Sequence, residues 1–486
     1  MSTRLTDQLA QQPYASVLRR VGEVALHEGI EAYAVGGVVR DVLLGRPTTD
    51  IDFVTVGHET GIGLAQAVAK ALGGQTAHVY PNFGTAAIRL HQPDELVLEF
   101  VAARKESYRG DSRNPAVEDG TLDDDRRRRD FTVNAMALHL MPDRFGELID
   151  PGRVGQGDLE QRLLRTPLDP HRTFEDDPLR MIRAARFAAQ LDFRIAPATF
   201  AAMRSRTERV RILSRERITD EVQKIMRSPR PSAGLRILFE AGILHFIFPE
   251  LTALKGVETI GGQSHKDNFD HTLQVLENLL RLTEDRSGED TLWLRWAALL
   301  HDIAKPRTKR FTPGAGWSFH SHEERGARMI PKLFKKLRLP NDDRMRYVQK
   351  LVRLHHRPVA LVDDIVTDSA VRRLLFDAGD LIDDLMTLVR ADITSKNPRR
   401  VRRYLRAFDQ VEEKLREVEE KDQLRNFQPP VDGNEIMDTL GLGPSKAVGL
   451  LKEAVREAIL EGTIPNEHDA AFAYLMQIKD EILAQA

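Results

Sequence analysis

The chain has 486 residues, 71 of them Lys or Arg and 73 Asp or Glu, for a formal net charge of −2. That length suggests about three or four domains, and near-neutrality excludes a polybasic nucleic-acid coat, so any RNA site must come from local patches. Cysteine is absent, which excludes a disulfide scaffold, a Cys-ligated zinc site and a thiol nucleophile; no apolar run is long enough to span a bilayer, so a soluble, cytoplasmic protein without a membrane partner is expected.

Residues 1–150 mix strand and helix patterns. Residues 30–35 read as a strand running into Gly36-Gly37, and 49–56, 85–90 and 95–102 as further strands, with a helix over 61–72. Side chains alternate along a strand, so Asp50 and Asp52 point the same way. Two carboxylates so placed repel each other unless a cation lies between them. Magnesium prefers hard oxygen ligands and joins a few carboxylates to substrate phosphates. Glu99 interrupts the apolar run 96–101, where an unpaired charge is expensive to bury, so it is expected as a third carboxylate of a two-metal phosphoryl-transfer site. Gly36-Gly37 lets backbone N–H groups approach a phosphate closely, and Arg40 just beyond is placed to grip phosphate oxygens.

With Gly-Gly, Arg, Asp-x-Asp and a strand Glu in this order, the segment resembles the tRNA nucleotidyltransferase and poly(A) polymerase family of the DNA polymerase β superfamily, in its bacterial (class II) form. The resemblance continues through Asn82-Phe83-Gly84-Thr85, Arg104, the block Arg128-Arg129-Asp130-Phe131-Thr132-Val133-Asn134 and Asp150-Pro151. It implies a catalytic head over 1–150 in which Asp50 and Asp52 hold Mg2+. Asp130 and Asn134 would lie near the ribose, Arg128 or Arg129 near phosphates, and Arg104 beside the nucleotide. Residues 105–125 read as a flexible loop.

Beyond residue 155 strand signals nearly vanish and helical periodicity dominates, so the fold class is α+β, a small α/β head followed by an all-helical body. In the neck, 151–255, Glu175-Asp176-Asp177-Pro178 reads as a helix start, with carboxylates over free N–H groups and Pro178 in the first turn. Asp177 and Arg180 stand at i, i+3 on one face. A carboxylate can accept from the exocyclic amino group of cytosine or adenine, and an arginine can donate to ring nitrogens and carbonyl oxygens. In the resembled family the matching Asp and Arg choose CTP or ATP and reject UTP and GTP. Asp176, where the family commonly has Glu, and Arg183 join the expected nucleotide contacts.

Residues 256–410 are rich in His and Asp. The pair His301-Asp302 ends an apolar helix over 293–300, where a buried Asp needs a metal or a strong partner. His271, His301, Asp302 and Asp392 match the signature of the HD metal-dependent phosphohydrolase superfamily, and His322, with His355 or His356, matches the extra ligands of its two-metal members. Imidazole and carboxylate ligands suit a divalent transition metal more than Mg2+. The resemblance implies a phosphodiesterase or phosphatase acting on RNA 3′ ends.

In the tail, a basic cluster at Arg399, Arg400, Arg402, Arg403 and Arg406 with Tyr404 and Phe408 interleaved reads as a phosphate-contacting stripe. Residues 411–486 are expected as a C-terminal helical tail that contacts tRNA, and within it a glycine-rich turn at 441–444 opens a helix at Lys446 that is also placed for RNA. The whole implies template-independent addition of CCA to the tRNA 3′ end from CTP and ATP. Alternatives are a poly(A) polymerase, a CC-only or A-only enzyme, and an HD phosphohydrolase whose head merely binds RNA. The paired carboxylates argue against the last.

Overall fold

The computed structural model describes residues 2–81, 84–91, 95–107, 116–363, 367–395, 397–422 and 429–485. They fall into two compact units, Met1–Ile247 and Phe248–Ala486. Among the described residues no helix is long and apolar enough to cross a membrane.

The first unit is built on a seven-stranded sheet of β1 (Glu31–Val35), β2 (Asp50–Val56), β3 (Ala77–Tyr80), β4 (Thr85–Leu90), β5 (Leu96–Ala102), β8 (Ala137–His139) and β9 (Leu148–Ile149), in the order β3-β4-β5-β2-β1-β8-β9. Within this sheet only β2 and β5 pair in parallel. Their register sets Asp50 opposite Val97 and Asp52 opposite Glu99, and β1 sets Val35 opposite Asp52. On the other face Ile51, Phe53, Leu98 and Phe100 are fully buried, with the Phe53 and Phe100 rings stacked 4.6 Å apart. Each such side chain contributes roughly 1.5–3 kcal/mol on burial, so the apolar face fixes the register that aligns the carboxylates on the opposite one. Helix α1 (Gly37–Leu44) follows β1 and α2 (Thr60–Ala71) follows β2.

Two sequence expectations are corrected here. Residues 105–125 are not simply a loop. Strands β6 (Arg104–Ser107) and β7 (Ala116–Asp119) form an antiparallel ribbon, and helix α3 (Leu122–Arg127) follows. A capping box starts α3: Asp124 N–H donates to Thr121 Oγ1 and Thr121 N–H to Asp124 Oδ2. Residues 108–115, and Asn82-Phe83 of the matched motif, lie outside the described residues. The second correction concerns the neck. Glu175 and Asp176 end helix α4 (Pro170–Asp176), Asp177 is extended (φ −141°, ψ 101°), and Pro178 precedes helix α5 (Leu179–Leu191). The acidic run therefore joins two helices and only Asp177 caps α5. Helices α6 (Arg215–Arg227) and α7 (Pro231–Glu240) pack on α5.

The second unit is helical apart from two small hairpins, 259–264 and 310–318. Helices α8 (Asn268–Leu282), α9 (Leu292–Leu300), α10 (His322–Lys336), α11 (Asp343–Leu354) and α12 (Ile382–Ala391) pack around buried Phe269, Trp296 and Phe334. The long α13 (Pro398–Asp422) and helices α14 (Gly433–Leu440) and α15 (Lys446–Glu461) follow.

Candidate active site and metal cluster

A cavity of about 740 Å³ opens over the carboxylate face of the sheet in the first unit, and Asp50, Asp52 and Glu99 line it together. Its volume is in the usual range of small-molecule sites. The expectation that Glu99 is buried is overturned: along β5 it alternates outward from Leu98 and Phe100 and is exposed to the cavity. Desolvation, with Asp52 and Asp50 beside it, raises its pKa. Asp52 is raised as well, by burial first and by Asp50, against the pull of Arg129 and Arg183. Carboxylates that resist ionising together on one strand face are the donor set a hard divalent cation satisfies.

Gly36 caps α1 in the left-handed region (φ +77°). A Cβ there would stand 2.9 Å from Arg129 Nη1 and 3.0 Å from Asp52 Oδ2. Only glycine leaves this room between a carboxylate and a guanidinium. Gly37 also lines the cavity.

Behind the carboxylates lies a buried charge network. Asp125, in α3 and fully buried, holds Arg128 and Arg129, the latter through Nε to Oδ2 at 3.0 Å. The two arginines pull its carboxyl below the ordinary range although burial alone would raise it. Asp125 was not singled out in the sequence; the signal was its i, i+3 and i, i+4 spacing to two arginines on one helix. Asp130 accepts from its neighbour's N–H (2.8 Å), from Asn134 Nδ2 (3.0 Å) and from Arg183 Nε (2.8 Å), and Arg183 Nη2 lies in ion-pair contact at 2.6 Å. Against the upward push of burial, Arg183, Asn134 and Arg180 bring its pKa down to about 2. Arg40 is buried, donating Nε and Nη2 to Asp41 and Nη1 to Asn134 at 2.7–2.9 Å. These bonds commit three of its five N–H groups, one of them to positioning Asn134, and Arg40 also lines the cavity.

On α5, Arg180, Arg183, Arg186, Phe187 and Gln190 face the cavity. Asp177 Oδ1 accepts the Leu179 N–H (3.1 Å), capping α5, while Oδ2 meets Arg217 Nη2 (3.2 Å). Arg180 donates through Nη2 to the Arg128 carbonyl. Asp177 and Arg180 both line the cavity; Asp176 and Arg104 do not. Asp176 turns instead toward Arg172 within α4 (3.9 Å), and Arg104 belongs to the β6–β7 ribbon. Arg217, Arg186 and Lys224 are cavity residues that sequence reasoning did not select. Arg186 is fixed by Glu221, 2.7 Å away and buried.

In the second unit six side chains converge. His271 Nε2 lies 2.9 Å from Asp392 Oδ1 and 3.4 Å from Asp302 Oδ2. His301 Nε2 lies 3.2 Å from Asp302 Oδ2, and His322 Nε2 lies 3.2 Å from Asp302 Oδ1 and 3.3 Å from His355 Nε2. The donors form two triads, His271–His301–Asp392 and Asp302–His322–His355, each with its ligand atoms within 4.8 Å of one another. The Nδ1 atoms of His301, His322 and His355 each reach the carbonyl three residues back, at 2.7–2.8 Å. That bond fixes the tautomer and aims each Nε2 inward. His301 and His355 follow the last turns of α9 and α11, where carbonyls lack helical partners.

The electrostatics suit a divalent cation. His301 Nε2 is buried without a hydrogen bond. Although burial opposes a charge there, Asp302 and Asp392 raise His301 to about 10, while burial and the neighbouring His301 push His355 down to about 3. His301 and Lys305 hold the buried Asp302 well below the carboxylate range. Lys305 Nζ, 2.5 Å from Asp302, is a participant that sequence reasoning missed; it stands one turn beyond the His-Asp pair. His320 and His356 are exposed and stand outside both triads.

The predicted RNA residues separate. Arg399, Arg402, Arg403 and Arg406 line one hollow on α13, whereas Arg400 and Tyr404 line a cavity that also holds His271 and Asp392. Lys446 is exposed at the first position of α15, and Gly441 (φ +63°) ends α14 rather than opening the next helix.

Known proteins match these parts in the same order. The family model of the poly A polymerase head domain matches residues 32–165, that of the probable RNA- and SrmB-binding site of polymerase A matches 192–255, and the HD domain model matches 268–395. The A-adding tRNA nucleotidyltransferase of Deinococcus radiodurans is 33% identical over 451 residues, covering 90% of this chain and 94% of its own. The CC-adding tRNA nucleotidyltransferase of Thermus thermophilus is 32% identical, covering 94% and 95%. The multifunctional CCA protein of Pseudomonas paraeruginosa is 36% identical, covering 67% and 73%. Among solved structures, the Thermotoga maritima CCA-adding enzyme complexed with tRNA shares the fold, with a TM-score of 0.61 at 20% identity over 99% and 98% of the two chains. A carboxylate-lined polymerase-type head, a helical neck and an HD cluster, matched along nine-tenths of full-length relatives, place this chain in the tRNA nucleotidyltransferase family.

Proposed function

We propose that the chain adds C, C and A to the 3′ end of tRNA, drawing on CTP and ATP. The observation that supports it most is the joining, in one cavity, of the Asp50–Asp52–Glu99 face and the Asp177–Arg180 pair. Mg2+ held by Asp50 and Asp52, with Glu99 in reach, would supply the positive charge that such phosphoryl transfers need. The 3′-hydroxyl of tRNA gives up its proton to solvent, its oxygen bonds to the α-phosphorus, the bond from that phosphorus to the bridging oxygen breaks, and pyrophosphate leaves. Arg128 and Arg129, steadied by Asp125, face the triphosphate, while Asp130 and Asn134 position the ribose. Asp177 accepts from the amino group that C and A share in type, and Arg180 donates to the adjoining ring edge.

The test uses purified protein and tRNA lacking its CCA end, with each labelled NTP singly and together. CTP incorporation followed by ATP incorporation supports the reading. The names of the two relatives matched over nine-tenths of the chain favour a second reading, addition of A alone or of CC alone. ATP incorporation only on tRNA already ending in CC, or extension that stops after CC, would establish it instead.

For the second unit we infer a two-metal hydrolytic centre acting on phosphate esters at RNA 3′ ends, such as a 2′,3′-cyclic phosphate. His271, His301 and Asp392 would hold one transition-metal ion, and Asp302, His322 and His355 the other. Hydrolysis of 2′,3′-cyclic AMP by the intact chain, retained unchanged in His301→Ala, would sink this reading.

A further inference from the structure

Two hollows flank the HD cluster. One, of about 1020 Å³, carries His271 and Asp392 on one side and Arg400 and Tyr404 on another. The second, of about 660 Å³, is walled by Lys305, Trp317 and Phe319. His265 and Lys266 line both, so the hollows share a wall beside the cluster.

The walls combine rings and cations. Trp317, Phe319 and Tyr404 are each only partly buried. Trp317 is held in place, its Nε1 donating to the Gln263 carbonyl at 3.0 Å and its ring meeting His265 and Phe311 edge-on at 5.0 and 5.2 Å. Lys305 stands 5.6 Å from the Phe319 ring, Lys309 5.5 Å from Trp317, and Arg400 5.7 Å from Tyr404. Lys266 and Arg400 have no carboxylate partner among the described residues. The two acids on the same wall, Asp267 and Asp270, are paired with Lys255 at 3.2 and 2.6 Å.

A mononucleotide would need one ring platform and one hollow. Ring platforms on both sides of a phosphate-directed cluster, each with its own cation, are the arrangement that takes successive bases of an unpaired strand. We propose that this groove binds single-stranded RNA, with bases stacked on Trp317 and on Tyr404 and the linking phosphate turned toward the His-Asp cluster. This rests on the hydrolytic reading of the cluster and adds to it the side chains that would hold the unpaired strand.

The chain's tryptophans are three, Trp293, Trp296 and Trp317, and Trp296 is buried in the core, which gives Trp317 a local optical readout. The full-length protein is titrated in EDTA with hexa-adenylate and separately with AMP, following tryptophan emission. The expected result is quenching by hexa-adenylate at a Kd at least tenfold below that of AMP, with the quench absent in Trp317→Phe. Tyr404→Ala should weaken hexa-adenylate binding about tenfold, the loss of one stacked base, and Tyr404→Phe should restore it. Equal affinity for AMP and hexa-adenylate, an unchanged quench in Trp317→Phe, or wild-type binding by Tyr404→Ala overturns the proposal. Hydrolysis of bis(p-nitrophenyl) phosphate with added Mn2+, compared between wild type and His301→Ala, reports separately on the hydrolytic reading, because it needs neither platform.

Discussion

Asp130→Asn tests whether the head is held together by charge around its nucleotide cavity. The side chain is 6% exposed and accepts three hydrogen bonds, one of them from Arg183 Nε, with Arg183 Nη2 in ion-pair contact beside it. An amide of the same shape must turn its NH2 toward Arg183 or toward the Phe131 and Asn134 donors, so a donor meets a donor in either orientation. A pKa brought from 3.8 to about 2 corresponds to about 2 kcal/mol of stability. Breaking a buried pair while leaving its partner costs about 3–5 kcal/mol, and Glu221, 3.8 Å from Arg183, remains to share that charge. About 3 kcal/mol is therefore expected, which for a unit of this size lowers Tm by about 6–12 °C. The folded pKa is depressed, so the stabilisation is complete above pH 3.8 and lost only as pH falls toward 2. The deficit should thus be the same at pH 5 and pH 8. Calorimetry can assign the transition, because all three tryptophans lie in the second unit and their emission follows that unit alone. A fall of less than 2 °C, or a deficit that changes between pH 5 and 8, would refute the reasoning.

Other outcomes follow from the same geometry. Gly36→Ala places a methyl 2.9 Å from Arg129 and 3.0 Å from Asp52 at a positive φ; CTP incorporation should fall at least a hundredfold, measured as kcat/KM, with the far-UV spectrum retained. Asp177→Ala should relax base choice, cutting the preference for CTP over UTP at least tenfold, in line with about 1–3 kcal/mol per bidentate contact. In protein stripped of metal, His301 has its pKa raised to about 10, so its stabilisation is present below pH 6.5 and disappears as pH rises through 10. His355, lowered to about 3, is neutral in both states above pH 6.5 and does not offset it. The tryptophan-monitored Tm should therefore fall between pH 7 and 9, and added Mn2+ or Zn2+ should reverse the trend, since metal binding competes with protons. His322→Ala and Asp302→Ala should each reduce bound metal from two ions to one by elemental analysis, because both belong to the same triad.

The carboxylate strand was legible because alternation is a two-residue rule: Ile51 and Phe53 announce the core face, and Asp50 and Asp52 then have only one side left. The HD ligands were legible as residue types in order, although nothing local in the sequence could say that four imidazoles and two carboxylates meet within a few ångströms. What escaped was set by partners far along the chain. Glu99 sits in an apolar run, yet its exposure depends on β2 lying beside it. Arg40 reads as a free cation until Asn134, ninety-four residues later, takes its Nη1. The β6–β7 ribbon is short and highly charged, so strand propensity carries little signal there. Asp125 and Lys305 were each within one helical turn of chosen residues, where i, i+3 spacing was the available clue.

The parallel pairing of β2 with β5 carries a consequence for how the protein is born. Asp52 and Glu99 are 47 positions apart, and a parallel pair cannot close through a tight turn. On the ribosome, the first two carboxylates emerge well before the strand that brings the third. The proposed ion site would therefore be a product of late, long-range closure, an inherently slow step. A nascent head truncated before residue 96 would hold the Asp-x-Asp motif without the strand that sets Glu99 opposite Asp52, so the three-carboxylate face is the last part of that strand pair to be completed.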